Sequence, residues 1–251
     1  MGETAKILCP DKKVLVPDLN AGCSLADSCP ADDFKKFVRN NPGYTVISYV
    51  NTSAAVKAVT DVVVTSTNAR QIVESFPTEE KIIFGPDRNL GNYINSITGR
   101  NMKLWDGACH VHEEFSLEKI LDLKKQYPDA LILAHPECKK VILMLADKIG
   151  STAALLKYAT ESSAKKFIVA TESGILHEMK KSNPDKTFIP APPNDSTCAC
   201  NECNFMRLNT MKKLYLTLKY ELPEIKVDKD IADRAVLPIK KMLDISSKLG
   251  L

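Results

Sequence analysis

Residues 45–75 read TVISYVNTSAAVKAVTDVVVTSTNARQIVES, and residues 131–162 read LILAHPECKKVILMLADKIGSTAALLKYATES. The two stretches come into register, without an insertion, when the sequence is shifted against itself by 86 residues. The paired positions are Cys23 with Cys109, Pro42 with Pro128, Tyr49 with His135, Asn51 with Glu137, Asp61 with Asp147, and Ser66 with Thr152. Collinear matches at a fixed period indicate an internal duplication.

Each copy alternates polar amphipathic segments with short apolar runs. The predicted elements are helices at 31–41 and 116–127, strands at 46–50 and 131–134, a β-branched strand at 62–65, helices that open at Ser66 and Thr152, and strands at 81–84 and 167–170. Strands that alternate with helices predict an α/β fold, with parallel sheets covered by helices on both faces. Ligands of such folds gather beyond the carboxyl ends of the strands.

A third copy is predicted from a weaker match. The segment PDKKVLVPDLN at 10–20 resembles PDKTFIPAPPN at 184–194, about two periods later. Three cysteine loops therefore end three repeats: one around Cys23, one around Cys109, and one within 198–203. Because so little sequence precedes Cys23, we expect about 60 residues of the first copy to be missing before Met1.

Composition excludes several classes of protein. The chain has 251 residues, a net charge of +3 and a pI near 8.3, without the basic clusters typical of nucleic-acid binding. No apolar run approaches the ~20 residues that span a bilayer. The first residues, MGETAKILCP, lack the pattern of a signal peptide. We expect a soluble cytoplasmic protein that binds neither nucleic acid nor membrane.

Eight cysteines are many for a cytoplasmic chain and favour metal or redox chemistry over disulfides. Cys9 and Cys138 are expected to be buried small side chains instead. The densest group, Cys198, Cys200 and Cys203, could form a local zinc or iron–sulfur site. The repeat favours a different arrangement, in which one thiolate from each copy binds an iron–sulfur cubane and leaves one iron open as a Lewis acid.

Polar residues follow the first strand of each copy. His135 and Glu137 follow one strand, and Tyr49 and Asn51 occupy the same positions in the other copy. Either pair could be a solvated strand end, but alternation puts both members on one side of the chain, as acid–base chemistry requires.

Two hydroxyl pairs mark predicted helix starts. Thr65-Ser66 and Ser151-Thr152 are expected to cap helices, and capped N-termini also bind phosphate. The absence of a glycine-rich nucleotide loop from the sequence predicts a small phosphate ligand.

Long motifs spread over essentially the whole chain resemble the quinolinate synthase (quinolinate synthetase A) family. They read MGETAKILCPDKKVLVPDLNAGCSLADSC, SYVNTSAAVKA, VTSTNA, IIFGPDRNLGNYI, HVHEEF, AHPEC and CNECNFMRLNTMKKLY. The resemblance implies three pseudo-threefold-related α/β/α domains around a central [4Fe-4S] cluster, with the first domain incomplete. The parts would be 1–28 (remnant of the first domain), 29–113 (second domain), 114–203 (third domain) and 204–251 (C-terminal helices).

The resemblance also implies a reaction. Iminoaspartate and dihydroxyacetone phosphate would condense to quinolinate for NAD biosynthesis, with loss of phosphate and water. L-aspartate oxidase or aspartate dehydrogenase would be the functional partner that supplies iminoaspartate. The resemblance further places the first domain's own catalytic His and Tyr upstream of Met1.

By motif position the resemblance assigns site residues. The cluster ligands would be Cys23, Cys109 and Cys203, with Cys203 chosen over Cys200 by its spacing to Met206 and a helix at 208–218. Glu137, Tyr49 and His135 would be catalytic, and Asn51, Ser66 and Thr152 would bind substrate together with Tyr49 and His135.

Two other functions stay open. One is a truncated, inactive fragment that binds zinc or a partial cluster. The other is a thiol redox protein that uses Cys198, Cys200 and Cys203, since Cys200 and Cys203 have Cys-x-x-Cys spacing.

Overall fold

A computed structural model describes residues 1–195 and 202–251. The chain divides into two compact units. The first unit comprises Met1–Gly107 and Asn204–Leu251, and the second comprises Ala108–Cys203. No helix in the described ranges is long and apolar enough to cross a bilayer.

The first unit contains one parallel sheet of four strands in the order β2-β1-β3-β4. The strands are β1 (Thr45–Tyr49), β2 (Val62–Val64), β3 (Ile82–Gly85) and β4 (Lys103–Leu104). The helices before the second unit are α1 (Gly2–Leu8), α2 (Ser24–Asp27), α3 (Ala31–Arg39), α4 (Ala54–Lys57), α5 (Ala69–Glu74) and α6 (Arg88–Thr98).

The second unit contains another parallel four-stranded sheet, in the order β6-β5-β7-β8. The strands are β5 (Leu131–Ala134), β6 (Lys148–Ile149), β7 (Lys166–Ala170) and β8 (Thr187–Pro190). Its helices are α7 (His110–Glu113), α8 (Leu117–Gln126), α9 (Lys140–Leu143), α10 (Thr152–Glu161) and α11 (Ile175–Ser182). The chain then returns to the first unit with α12 (Asn204–Arg207), α13 (Met211–Tyr220) and α14 (Lys229–Lys248).

The identical strand order of the two sheets confirms the parallel α/β fold and the duplication that the sequence predicts.

An aspartate at the same position of each copy makes the same pair of hydrogen bonds to the neighbouring strand. Asp61 Oδ2 accepts a hydrogen bond of 2.8 Å from the Val46 amide, and Asp147 Oδ2 accepts one of 2.7 Å from the Ile132 amide. The amide of each aspartate donates back to the carbonyl of the same strand residue, at 2.8 Å in both copies. Each aspartate therefore fixes the start of one strand relative to its neighbour.

The core of the first unit lies between α3 and the sheet. Phe34 is completely buried, and its ring meets the Trp105 ring edge-on, with centroids 5.5 Å apart. Phe37, one turn later, contacts the same indole at 5.4 Å but is only partly buried. The polar residues of α3 lie on its outer face, so the helix buries one apolar stripe.

The C-terminal helix α14 belongs to the first unit. It packs against β2 and α4 through a face that includes Ala235, Ile239 and Met242. The Asn68 side chain donates to Ser246 Oγ at 3.1 Å, which ties the end of α14 to the turn after β2. The division of the chain into four parts, ending at residues 28, 113 and 203, stays a prediction.

Most predicted boundaries lie within two residues of the observed ones, but two predicted helix starts are wrong. The helix expected to open at Ser66 begins at Ala69, because the Asn68 carboxamide accepts hydrogen bonds from the Thr65 amide and hydroxyl and closes a turn there. The helix expected at 208–218 spans Met211–Tyr220, because Thr210 caps it by accepting from the Lys213 amide. Ser151 caps α10 as predicted.

Replacement of Phe34 by alanine should lower the free energy of unfolding by about 3–5 kcal/mol, since it removes a completely buried ring. Phe37→Ala removes the same ring from a partly exposed position of the same helix and should cost clearly less. Urea unfolding of both variants measures the difference. Equal losses would contradict this account of the core.

Candidate active site and metal ligands

The site of the second unit begins where β5 ends. His135 and Glu137 follow that strand, and each is only 4% exposed. The His135 amide donates to the Ala170 carbonyl of β7 at 3.0 Å, and the Cys138 amide donates to the His135 carbonyl at 2.9 Å. These backbone bonds fix the turn, so both side chains are held at the carboxyl edge of the sheet.

A second histidine joins this pair. His112, in α7, stacks on the His135 ring with centroids 4.9 Å apart and an interplanar angle of 30°. Its Nδ1 lies 3.3 Å from Glu137 Oε2, and its Nε2 lies 3.2 Å from the hydroxyl of Thr171, which follows β7. His112 Nδ1 is buried without a well-directed hydrogen bond among the described residues, so its contact with Glu137 is mainly electrostatic.

The surroundings separate the pKa values of the two imidazoles. Burial opposes the charge on His112, but the Glu137 carboxylate and the Cys109 sulfur outweigh it and raise the His112 pKa to about 10. Burial lowers the His135 pKa to about 4, although Glu137 acts in the opposite direction. Two positive charges on stacked rings repel each other, so only His112 is charged and His135 is a neutral imidazole.

Cys109 completes this group. Its sulfur, a ring nitrogen of His112 and a carboxylate oxygen of Glu137 all lie within 4.8 Å of one another. Thiolate, imidazole and carboxylate are the donors that transition metals take in proteins. The donor chemistry of the three residues therefore fits a metal centre with Cys109 as a sulfur ligand.

The three cysteines predicted as cluster ligands occupy equivalent positions. Cys23, Cys109 and Cys203 are all partly exposed, and each directly precedes a four-residue helix: α2, α7 or α12. The Cys203 amide also donates to Glu172 Oε1 at 3.3 Å. The three cysteines thus share the same position relative to a short helix, and their assignment as cluster ligands stays a prediction.

Other cysteines have different surroundings. Cys138 is buried as predicted, and its thiol donates to the Ala170 carbonyl at 3.3 Å. Cys9 is partly exposed, so its predicted burial is wrong: it follows the last turn of α1 at the edge of the unit. Burial raises the pKa of Cys29 to about 12, which keeps that thiol protonated. Cys198 and Cys200 lie outside the described residues.

The remaining predicted residues follow neighbouring strands. In the first unit Tyr49 ends β1, Asn51 lies two residues beyond it, and Ser66 lies in the turn after the adjacent strand β2. Thr152 opens α10 after β6, the strand next to β5 in the second sheet. Each sheet therefore presents its predicted residues at its own carboxyl edge.

Sequence reasoning missed His112 and Thr171 as site residues. His112 follows Cys109 by three residues, the spacing that puts two side chains on one face of a helical turn, so this signal was present in HVHEEF. Thr171 has no comparable local signal, because only the pairing of β7 with β5 brings it to the site.

Comparison with known proteins gives a consistent result. A family model described as Quinolinate synthetase A protein matches residues 1–244. The chain is 56% identical over 246 residues to the quinolinate synthase of Thermosynechococcus vestitus, a match that covers 98% of this chain and 77% of that protein. It is 56% identical to the quinolinate synthase of Chloroherpeton thalassium, covering 98% and 76% of the two chains, and 55% identical to that of Synechocystis sp., covering 98% and 77%.

The paired charges on His112 and Glu137 predict how the free energy of unfolding of the metal-free protein depends on pH. Because folding raises the His112 pKa, this pair stabilises the fold fully below about pH 6.5, the pKa of an unfolded histidine, and its contribution is lost as pH rises towards 10. Glu137→Gln should remove that loss, so the difference in unfolding free energy between wild type and variant should shrink from pH 6.5 to 10.

Chemical unfolding across this pH range measures the difference. Glu178→Gln is the matched control, because Glu178 lies 4.0 Å from the exposed imidazole of His177. Parallel curves for wild type and Glu137→Gln would contradict the assigned charges.

Proposed function

This chain belongs to the quinolinate synthetase A family, and we propose that it catalyses the condensation of iminoaspartate with dihydroxyacetone phosphate to quinolinate. Phosphate and two waters are lost in this reaction, which serves NAD biosynthesis. The observation that carries the proposal is the buried group formed by His112, His135 and Glu137 beside the Cys109 thiol.

The geometry of this group suits a reaction with repeated proton transfers. His112 holds a proton against the Glu137 carboxylate. Neutral His135 accepts a hydrogen bond of 3.4 Å from the Glu137 amide at Nδ1, so its Nε2–H is a donor. General acid–base steps need donor and acceptor groups fixed within hydrogen-bonding reach of the substrate. We assign His135 and Glu137 to these steps, with His112 as their charge partner and Thr171 as the group that orients the His112 ring.

The family implies a metal or cluster cofactor, and we propose a [4Fe-4S] cluster with Cys23, Cys109 and Cys203 as its ligands. Three thiolate ligands leave one iron that can polarise a substrate oxygen or nitrogen when the cluster is bound. The protein's own contribution is a carboxylate and two imidazoles next to one of these cysteines.

The other predicted residues are proposed to bind the substrates. Tyr49 and Asn51 would contact the substrate from the end of β1, with Tyr49 also taking part in catalysis. Ser66 and Thr152 would donate hydroxyl hydrogen bonds to the phosphate or carboxylates. Thr152 opens the ten-residue helix α10, whose N-terminus favours an anion.

The unstable imine substrate requires a supplier. We propose L-aspartate oxidase or aspartate dehydrogenase as the functional partner, since either produces iminoaspartate.

The full chain, reconstituted anaerobically with iron and sulfide, should form quinolinate from iminoaspartate and dihydroxyacetone phosphate. Cys23→Ala, Cys109→Ala and Cys203→Ala should each lose the visible absorption of the cluster, whereas Cys29→Ala should keep it, because Cys29 is a buried thiol with a raised pKa. Iron per chain and the visible spectrum are the measurements.

A Cys109 variant that retains its cluster would contradict the ligand assignment. A chain that binds zinc in place of the cluster and forms no quinolinate would favour the inactive metal-binding fragment.

Glu137→Gln keeps the shape of the side chain and removes its charge, so it should lower kcat by about 10²–10⁴-fold with the cluster retained. Glu113→Gln is the control, because Glu113 is an acidic residue of α7 near the exposed Lys139. Steady-state kinetics at equal iron content measure both variants. An unchanged kcat in Glu137→Gln would remove Glu137 from the mechanism.

A further inference from the structure

Lys57 is a completely buried lysine in the first unit, at the last position of α4. Its ammonium donates to the Val50 carbonyl at 2.8 Å, to the Thr52 carbonyl at 2.6 Å and to the Thr52 hydroxyl at 3.1 Å. An ammonium has three protons, so three oxygens satisfy it completely. Lys57 is therefore bound as a cation by the turn that follows β1.

The oxygens that bind Lys57 flank the candidate substrate residue Asn51. Val50 precedes Asn51 and Thr52 follows it, so the ammonium joins the backbone on its two sides. The Thr52 hydroxyl also donates to the Tyr49 carbonyl at 2.9 Å, which extends the network to the end of β1. Asn51 itself stays partly exposed.

We propose that Lys57 is a positioning residue that fixes the turn at 50–52 and thereby holds Asn51 in the orientation that substrate requires. The inference rests on the proposed function of Asn51. Lys57 is not a nucleophile in this arrangement, since its amine is buried and each of its protons is bonded to an oxygen of the turn.

The duplicated unit indicates that the fold itself does not need a lysine here. The position of Lys57 in the repeat corresponds to Leu143, which ends the equivalent helix α9 and is 9% exposed. A leucine thus supports the same strand–helix connection in the second unit. The two copies differ in the turn after the first strand, which the side chain at this position contacts in the first unit.

Burying the charged lysine costs desolvation free energy, which burying a leucine at the same position does not. Burial lowers the pKa of Lys57 to about 8, and the negative charge of Glu3 opposes this shift. Glu3 is held close by its hydrogen bond of 2.8 Å from the Ala54 amide at the start of α4. A buried cation that the fold does not require points to a role in the turn that it binds.

Lys186 provides a matched control. It is 6% exposed, and its ammonium also donates to three backbone oxygens: Ala159 at 2.6 Å, Ser162 at 2.7 Å and Thr160 at 3.2 Å. It lies directly before β8, at the opposite end of the strand from the carboxyl edge. Lys57→Met therefore removes a buried network at the carboxyl edge of the first unit's sheet, and Lys186→Met removes one of the same kind at the opposite edge of the second unit's sheet.

Amide hydrogen exchange and steady-state kinetics of the reconstituted full chain test the proposal. In Lys57→Met, exchange of the amides of residues 50–53 should rise at least about tenfold, and kcat/KM should fall about tenfold at unchanged iron content. Lys186→Met should leave both within about twofold of wild type. Thr52→Val, which removes only the hydroxyl, should act in the same direction and keeps the test usable if Lys57→Met does not fold.

A double mutant identifies the residue through which Lys57 acts. On an Asn51→Ala background, Lys57→Met should lower kcat/KM by less than about twofold more, because the positioned side chain is already absent. The proposal is overturned if the two substitutions lower kcat/KM by factors that simply multiply. It is also overturned if the amides of residues 50–53 exchange in Lys57→Met at the wild-type rate. If the wild-type chain forms no quinolinate, the proposed function fails, and the exchange comparison still decides whether Lys57 holds the turn.

Discussion

All strands in the described sheets run parallel, and this single constraint determines where chemistry can occur. Parallel strands end at one edge, so the residues that follow them in the sequence collect there in space. The paired aspartates maintain the arrangement, because Asp61 and Asp147 each lock the start of one strand to its neighbour. The chain after each strand end can then vary without disturbing the sheet.

The fold was predictable because its signals are local and repeated. Apolar strand runs, the proline before each first strand and the aspartates recur at a constant spacing, and each recurrence supports the others. Tyr49, Asn51, His135 and Glu137 were predictable as candidates for the same reason, since strand ends can be read from periodicity alone. The wrong helix start at Ser66 shows the limit, because the Asn68 side chain competes with the helix for backbone hydrogen bonds.

The rest of the site depends on contacts between distant segments. The pairing of β7 with β5 places Thr171 beside His135, and the Thr171 hydroxyl there meets His112 of α7; no spacing in the sequence encodes either distance. Lys57 was hidden for a different reason. A lysine in a short amphipathic segment normally faces solvent, and only the turn after β1 supplies the oxygens that allow it to be buried. Strand pairing and turn geometry, not composition, created both features.

The unequal burial of the cysteines has a consequence for how the protein meets oxidants and alkylating reagents. Such reagents attack the thiolate, and they need access to it. Cys29 is buried with its pKa raised to about 12, and the buried Cys138 thiol is bonded to a strand carbonyl. Among the cysteines that the structure describes, such reagents therefore reach the partly exposed Cys9, Cys23, Cys109 and Cys203 before the buried Cys29 and Cys138.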